Sequence, residues 1–379
     1  MEPVQVPYWR TRLGPEERDA VARAMERHCL SQGAITEEFE ARLAAFFGVP
    51  YVVCTTSGSA ALFLAASALG LGPGDEVLVP NRTFIATAHA VLLTGARVRL
   101  VEVHPDRAIL DEARIEAAIT PQTHAICAVH LNGNHADMVR IRALAAERRL
   151  ATFEDAAQAF ASRSPEGYLG TLSDAGCFSL GVTKLITTGQ GGFVVAHTPA
   201  MAERLQRFRS HGVFDTYEAT YDRFGFNLKY TDIQAAIGLV QMAKIPDKIE
   251  RHRSVYAWYR AALADVPYLR LLEVDLAAGN LPLWIEVLTA DRAAVIAMLA
   301  ERGIQARPFL PNLSEASHLQ ANDAAFPNSQ RFARHGMFLP CGPDLPGEAM
   351  ERTVEALRAI APRVRGDVPD PAALHPTSA

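Results

Sequence analysis

From about residue 50 onward, short apolar runs alternate with longer stretches of helical periodicity. The runs Tyr51–Cys54, Glu76–Val79, Val98–Val103, Ala125–His130, Ala151–Glu154, Gly176–Leu180 and Gly192–Ala196 predict seven strands. Helical patterns at 58–69, 84–94, 111–119 and 136–149 fall between several of them. Strand and helix alternating at this spacing predict a mostly parallel sheet with helices on both faces. Near-continuous apolar strands such as "AICAV" agree with burial on both sides. Two helices are expected before the first strand. Val21, Met25 and Cys29 recur every fourth residue in one; Phe39, Leu43 and Phe46 follow Thr36, the expected N-cap, in the other, which Gly48 ends.

The rhythm changes after about residue 197. Helical patterns run over 199–210 and 231–264, the latter broken by Pro246. A smaller α/β unit follows, with a strand near Leu283–Val287 and helices at about 291–302 and 347–361. This predicts a large domain over 1–250 and a small C-terminal domain over 251–365, the boundary lying near 246–265. Residues 366–379 hold no periodicity and are expected to be a loose tail. No internal repeat is present.

The 379 residues are 49% apolar and 21% charged, which fits a globular chain large enough to bury a core without staples. No apolar run approaches the ~18 residues of a membrane span. Met1 to Arg12 lacks the pattern of a secretory leader. A net charge of −5 gives no electrostatic reason to expect nucleic acid. Five scattered cysteines, with no C-x-x-C pair, argue against a disulfide framework or a zinc site and suit a reducing cytoplasm. Of 37 basic residues only four are lysine, at 184, 229, 244 and 248. In such a chain, a lysine in a special place calls for a reason that arginine cannot meet.

Ligands of parallel α/β sheets bind at the carboxyl ends of strands. Three segments there could carry chemistry. "TSGSAAL" (56–62) follows a strand and opens a helix, so free N–H groups and hydroxyls can cradle a phosphate, or simply cap the helix. In "FEDAAQA" (153–159), Glu154 and Asp155 end a strand and point to opposite faces; Asp155 can meet a cationic ring nitrogen or cap the next helix. "FSLGVTKLITTGQGG" (178–192) carries Lys184 on a glycine-rich loop between two strands; it either reaches the sheet edge or lies in solvent. "GLGPGDE" has Rossmann-like glycines in the wrong strand–helix order. Cys127 points away from His124 and His130 on its strand, which leaves His130, His135 and Asp137 as a weak metal candidate, and no metal is expected.

An anion cradle, a carboxylate for a ring nitrogen and a loop lysine together describe a pyridoxal phosphate (PLP) site. The sequence also resembles the DegT/DnrJ/EryC1/StrS family of PLP-dependent sugar aminotransferases, over about Val6 to Arg363. The matching blocks are "LSQGAITEEFEARLAAFFGV", "TSGSAAL", "GPGDEVLVP", "TFIATAHAVLLTGA", "EDAAQA", "TKLITTGQGG", "RSHG", "GFNLKYTDIQAAIGL" and "GIQARPF". Their order and spacing carry the resemblance more than any one block does. It implies PLP fold type I, the aspartate aminotransferase-like α/β fold, with a mostly parallel seven-stranded sheet and a smaller C-terminal α/β domain.

Carried over by position, the resemblance implies that Lys184 holds PLP covalently and later shuttles a proton. Asp155 would pair with the ring nitrogen, Gln158 would lie near the ring oxygen, and Phe84 would stack on the ring. Gly58, Ser59 and Ser179 would hold the phosphate, and Asn227 would reach it from the partner subunit of a homodimer. Arg307, which opens "RPF", would meet a substrate diphosphate, or else be one more surface arginine. The sequence departs from the family at Gln190, where "GEGG" is usual, and at Asn132 and Asn134 in "HLNGN"; no histidine follows "RPF" closely. The implied activity is amino transfer from glutamate to a keto sugar, nucleotide-linked and 4-keto-6-deoxy in the perosamine-synthase-like members that this chain resembles most. Alternatives are an aminotransferase for a cyclitol or another ketone, a PLP-dependent sugar dehydratase (which Lys184 argues against), and a non-catalytic PLP-binding regulator.

Overall fold

The computed structural model describes residues 5–214, 220–221, 223–319 and 326–364. The expected tail at 366–379 lies outside them. Nine strands come first: β1 (Tyr51–Thr55), β2 (Glu76–Pro80), β3 (Arg97–Val101), β4 (Thr123–Val129), β5 (Ala151–Asp155), a short hairpin β6 (Arg163–Ser164) and β7 (Gly167–Tyr168), β8 (Ala175–Ser179) and β9 (Gly192–Ala196). Seven of them form one sheet in the order β1-β9-β8-β5-β4-β2-β3. All its pairings are parallel except those of β9, which runs against both β1 and β8. The seven strands are those that the apolar runs predict. Val77–Val79, Ala125–Cys127 and Phe193–Ala196 are wholly buried, because helices cover both faces.

A second sheet lies further along the chain: β10 (Leu269–Leu271), β11 (Ile285–Thr289), β12 (Arg307–Pro308) and β13 (Gly336–Leu339), antiparallel in the order β10-β11-β13-β12. Helices Arg292–Ala300 and Gly347–Ile360 pack on it around Val287, Val295, Leu299, Met337 and Leu357. The first described residues belong with this sheet in space: Val6 bridges Ile304, and Trp9 bridges Cys341. Pro246 sits in the first turn of helix Ile245–Ala262, so it starts a new helix after Asp232–Ala243.

The first two helices differ from expectation in detail. Helix Pro15–Glu26 buries Ala20 and Ala24 against Ala236, while Met25 is 55% exposed. Small residues face inward because the partner helix comes close; the Val21–Met25–Cys29 stripe is not the core face. Helix Ala34–Phe47 has Gly33, not Thr36, at its N-cap. Glycine has no side chain to cap with, and Asp232 does the work from a distance. Its Oδ1 accepts from the N–H of Gly33 and Thr36 (both 2.9 Å) and from the Thr36 hydroxyl (2.6 Å). Gly48 ends the helix in a left-handed turn (φ 67°), as expected.

Candidate active site

A cavity of about 410 Å³ lies between the two sheets, at the carboxyl ends of β1, β5 and β8. Eight of the nine residues singled out from the sequence line it: Gly58, Ser59, Phe84, Asp155, Gln158, Ser179, Lys184 and Arg307. Asn227 does not. It is exposed and bridged to Ser210, beyond an aromatic stretch of which residues 215–219 and 222 lie outside the described residues.

The helix Gly58–Ala68 points its N-terminus into the cavity. Ser57 caps it by accepting from the N–H of Ala60 (3.1 Å), and the first turn leaves the N–H groups of Gly58 and Ser59 without intrahelical acceptors. A β-carbon on Gly58 would fall 2.7 Å from that of Ser179, so only glycine lets the helix start against the end of β8. The arrangement is an anion cradle built from N–H groups and hydroxyls.

Asp155 ends β5 and is 6% exposed. Its Oδ2 accepts from the Thr87 hydroxyl (2.6 Å) and its Oδ1 from the N–H of Ala157 (3.1 Å). Burial pushes its carboxyl up from the usual range, against Thr87, Ala157, Lys184 and His130, which all favour the charged form. Glu154, one residue earlier, faces the other way. It accepts from His130 Nε2 (2.8 Å), from the N–H of Gly170 (2.7 Å) and Leu172 (2.8 Å), and from the Ser173 hydroxyl (2.8 Å). His130 Nδ1 accepts from the N–H of Ala136, so the ring proton is on Nε2. Glu154 is thus scaffold, and only Asp155 serves the cavity. His130 is committed to Glu154, His135 bonds Asn280, and Asp137 caps helix Met138–Arg148, so those three do not converge on a metal.

Lys184 reaches the cavity from the loop between β8 and β9. Its Nζ lies 5.3 Å from the centroid of the Trp284 ring. Burial lowers its pKa to about 8, with the Asp155 charge opposing the shift. Gln158 Oε1 accepts from the N–H of Asn132 (2.8 Å), which turns the Gln158 amide NH₂ toward the cavity. Phe84, 50% exposed at the cavity wall, offers a ring face.

The "HLNGN" departure has a structural meaning. Asn132 sits in the left-handed region (φ 51°), which asparagine tolerates. Its amide clamps Trp284 at both backbone groups, donating to the C=O (3.1 Å) and accepting from the N–H (2.7 Å). A β-carbon on Gly133 would fall 2.0 Å from the Leu281 oxygen. The segment is therefore a joint that ties the large sheet to the strand entering the small one.

Sequence reasoning missed Tyr8, Arg82, Trp284 and Glu286, which also line the cavity. Arg82 is buried, donates to the Leu310 C=O (3.1 Å), and lies 4.6 Å over the Phe309 ring; burial lowers its pKa to about 10. Arg307 is exposed at the rim, its guanidinium 5.0 Å over the Tyr8 ring. One signal was available: Glu286 is the lone charge in the apolar run "PLWIEVL".

Known proteins resemble this chain along nearly its whole length. Residues 11–358 match the DegT/DnrJ/EryC1/StrS aminotransferase family. A GDP-perosamine synthase of Caulobacter vibrioides is 34% identical over 92% of this chain and 96% of its own. A dTDP-3-amino-3,4,6-trideoxy-alpha-D-glucose transaminase of Streptomyces venezuelae is 36% identical, covering 93% of this chain and 94% of its own. The crystal structure of DesV from S. venezuelae, in complex with a ketimine intermediate, superposes with a TM-score of 0.89 at 34% identity, covering 96% of this chain and all of that one. The fold is thus the fold-type I architecture of sugar aminotransferases, and the chain belongs to the DegT/DnrJ/EryC1/StrS aminotransferase family.

Proposed function

We propose that this protein uses PLP held on Lys184 to move an amino group from glutamate to a nucleotide-linked keto sugar, of the 4-keto-6-deoxy class. The observation that carries this reading is the convergence of a depressed lysine, a buried carboxylate and an anion cradle on one cavity. The residues fit the cofactor. Asp155 is buried without a full countercharge, which a protonated pyridine nitrogen supplies. The Gly58–Ser59 cradle offers backbone N–H groups and hydroxyls, as a phosphate requires. Lys184, about 8 in pKa, holds a reactive neutral amine at modest pH.

PLP, when bound, supplies an electron sink that lets an amine change carriers. The chain's own residues do the rest. Gly58, Ser59 and Ser179 hold the phosphate. Asp155 keeps the ring nitrogen protonated, and Thr87 and Ala157 fix its carboxylate in place. Gln158, oriented by Asn132, donates its NH₂ to the ring oxygen. Phe84 stacks on the ring, worth about 1 kcal/mol beyond burial. Lys184 Nζ would hold the cofactor and, once free as a neutral amine, would carry a proton to and from the substrate. Asn227 reaches the phosphate of a second copy of the chain in a homodimer. Exposed Phe214, Tyr221, Phe224 and Phe226, just before it, support a covered face there. Arg307 at the rim suits a substrate diphosphate. The relatives named as GDP-perosamine synthase and dTDP-amino-sugar transaminase support the substrate class.

The test is consumption of glutamate with a panel of GDP- and dTDP-linked keto sugars and free cyclitol ketones. Turnover with a nucleotide sugar is expected; turnover with free ketones alone contradicts the reading.

A further inference from the structure

Glu286 lies in the middle of β11, on a strand that is otherwise apolar, and its side chain lines the cavity. It is 6% exposed. In the antiparallel small sheet Glu286 stands opposite Phe338, and Phe338 stands opposite Arg307. Directly opposed residues share a face, so Glu286, Phe338 and Arg307 form one row across three strands, turned to the cavity. With strands about 4.8 Å apart, the two ends of the row are about 10 Å apart. One end is an acceptor and the other a donor; an aromatic ring lies between.

A burial this deep raises the Glu286 carboxyl to about 7, while the Arg82 charge and the Asn132 amide favour its ionised form. The Asn132 amide also holds the Trp284 backbone, which leaves it one N–H for Glu286, and Arg82 spends Nη1 on Leu310 and Asn312. A carboxylate has about four lone-pair sites, so acceptor capacity remains on the cavity side. A carbonyl or phosphate oxygen cannot use it. A hydroxyl can. A nucleotide-linked keto sugar offers both kinds of end: ring hydroxyls on one side and a diphosphate on the other, separated by roughly the reach of the row.

We propose that Glu286 is the residue that selects the sugar, by accepting a hydrogen bond from one ring hydroxyl while Arg307 holds the phosphate end and Phe338 packs beneath the ring. This rests on the sugar-aminotransferase reading and goes beyond it, because it fixes the substrate as a keto sugar that retains the hydroxyl facing Glu286. A substrate that lacks that hydroxyl leaves a buried acceptor unpaired, which is the most discriminating way to reject an analogue.

The experiment compares kcat/KM for a nucleotide-linked keto sugar and each of its mono-deoxy analogues, in the PLP-loaded wild type and in Glu286→Gln and Glu286→Leu. Taking the ratio within each protein cancels any loss of active fraction through misfolding. In the wild type one analogue should be poorer by about 100-fold or more. In Glu286→Leu that one ratio should fall to within about threefold of unity, and Glu286→Gln, whose carbonyl still accepts, should lie between. A deoxy penalty of the same size in wild type and Glu286→Leu overturns the proposal, as does a wild type that uses all the analogues equally well. A wild type that takes nitrogen from glutamate but passes it to no keto sugar overturns the underlying reading instead, and the proposal with it.

Discussion

Lys184 shows how far a single residue can be read. The scarcity of lysine singles it out, but the same argument singles out Lys248, which is buried and holds the Leu185 C=O (2.9 Å) and Gln241. Lys248 thus buttresses the residue after Lys184, a role that a compact ammonium fills and a guanidinium does not. What the sequence cannot give is the burial that lowers Lys184 to about 8. Below that pH the amine is protonated; above it the amine is neutral and free to react with an aldehyde. PLP uptake by the apoprotein, followed by its absorbance, should therefore rise with pH to about 8 and then level. A rise that continues to pH 10 would mean an ordinary lysine. The same shift leaves the folded apoprotein short of a proton between about 8 and the ordinary lysine value, so this site's contribution to stability grows with pH across that window. Asp155 was legible from its place at a strand end, and Glu286 left one signal as the lone charge in an apolar run; Arg82 and Tyr8 left none, because they meet the cavity only through tertiary packing.

At the scale of elements, strands buried on both faces were plain, since each is an unbroken apolar run between turn signals. The small sheet was read only in part. β12 has two residues and β13 four, too short for any periodicity. The start of helix Ala34–Phe47 was placed at Thr36 because a local rule expects a local cap, and the cap comes from Asp232, almost two hundred residues away. Asp232→Ala strips partners from three backbone N–H groups, those of Gly33, Ile35 and Thr36, and from a buried hydroxyl, and should lower stability by about 2–4 kcal/mol. A urea midpoint that shifts by less than the equivalent of about 0.5 kcal/mol would show that the cap is dispensable.

At the scale of the molecule, the site exists because two sheets face each other across a joint at Asn132–Gly133 and Trp284. Order along the chain reveals the pieces but not this closure, which is why the residues of the large sheet were legible and those of the small sheet mostly were not. In the proposed homodimer Asn227 serves the other subunit, so mixing inactive Lys184→Ala and Asn227→Ala chains should restore up to roughly a quarter of wild-type activity, since one site of each hybrid dimer is whole. A mixture as inactive as its parents would show that Asn227 does not serve the partner subunit. Whether Lys184 holds PLP in this cavity is decided by borohydride reduction of the loaded protein followed by peptide mapping. The cofactor should be fixed on the peptide that carries Lys184; label on Lys229, Lys244 or Lys248 in its place, or on no lysine at all, would rule Lys184 out as its anchor.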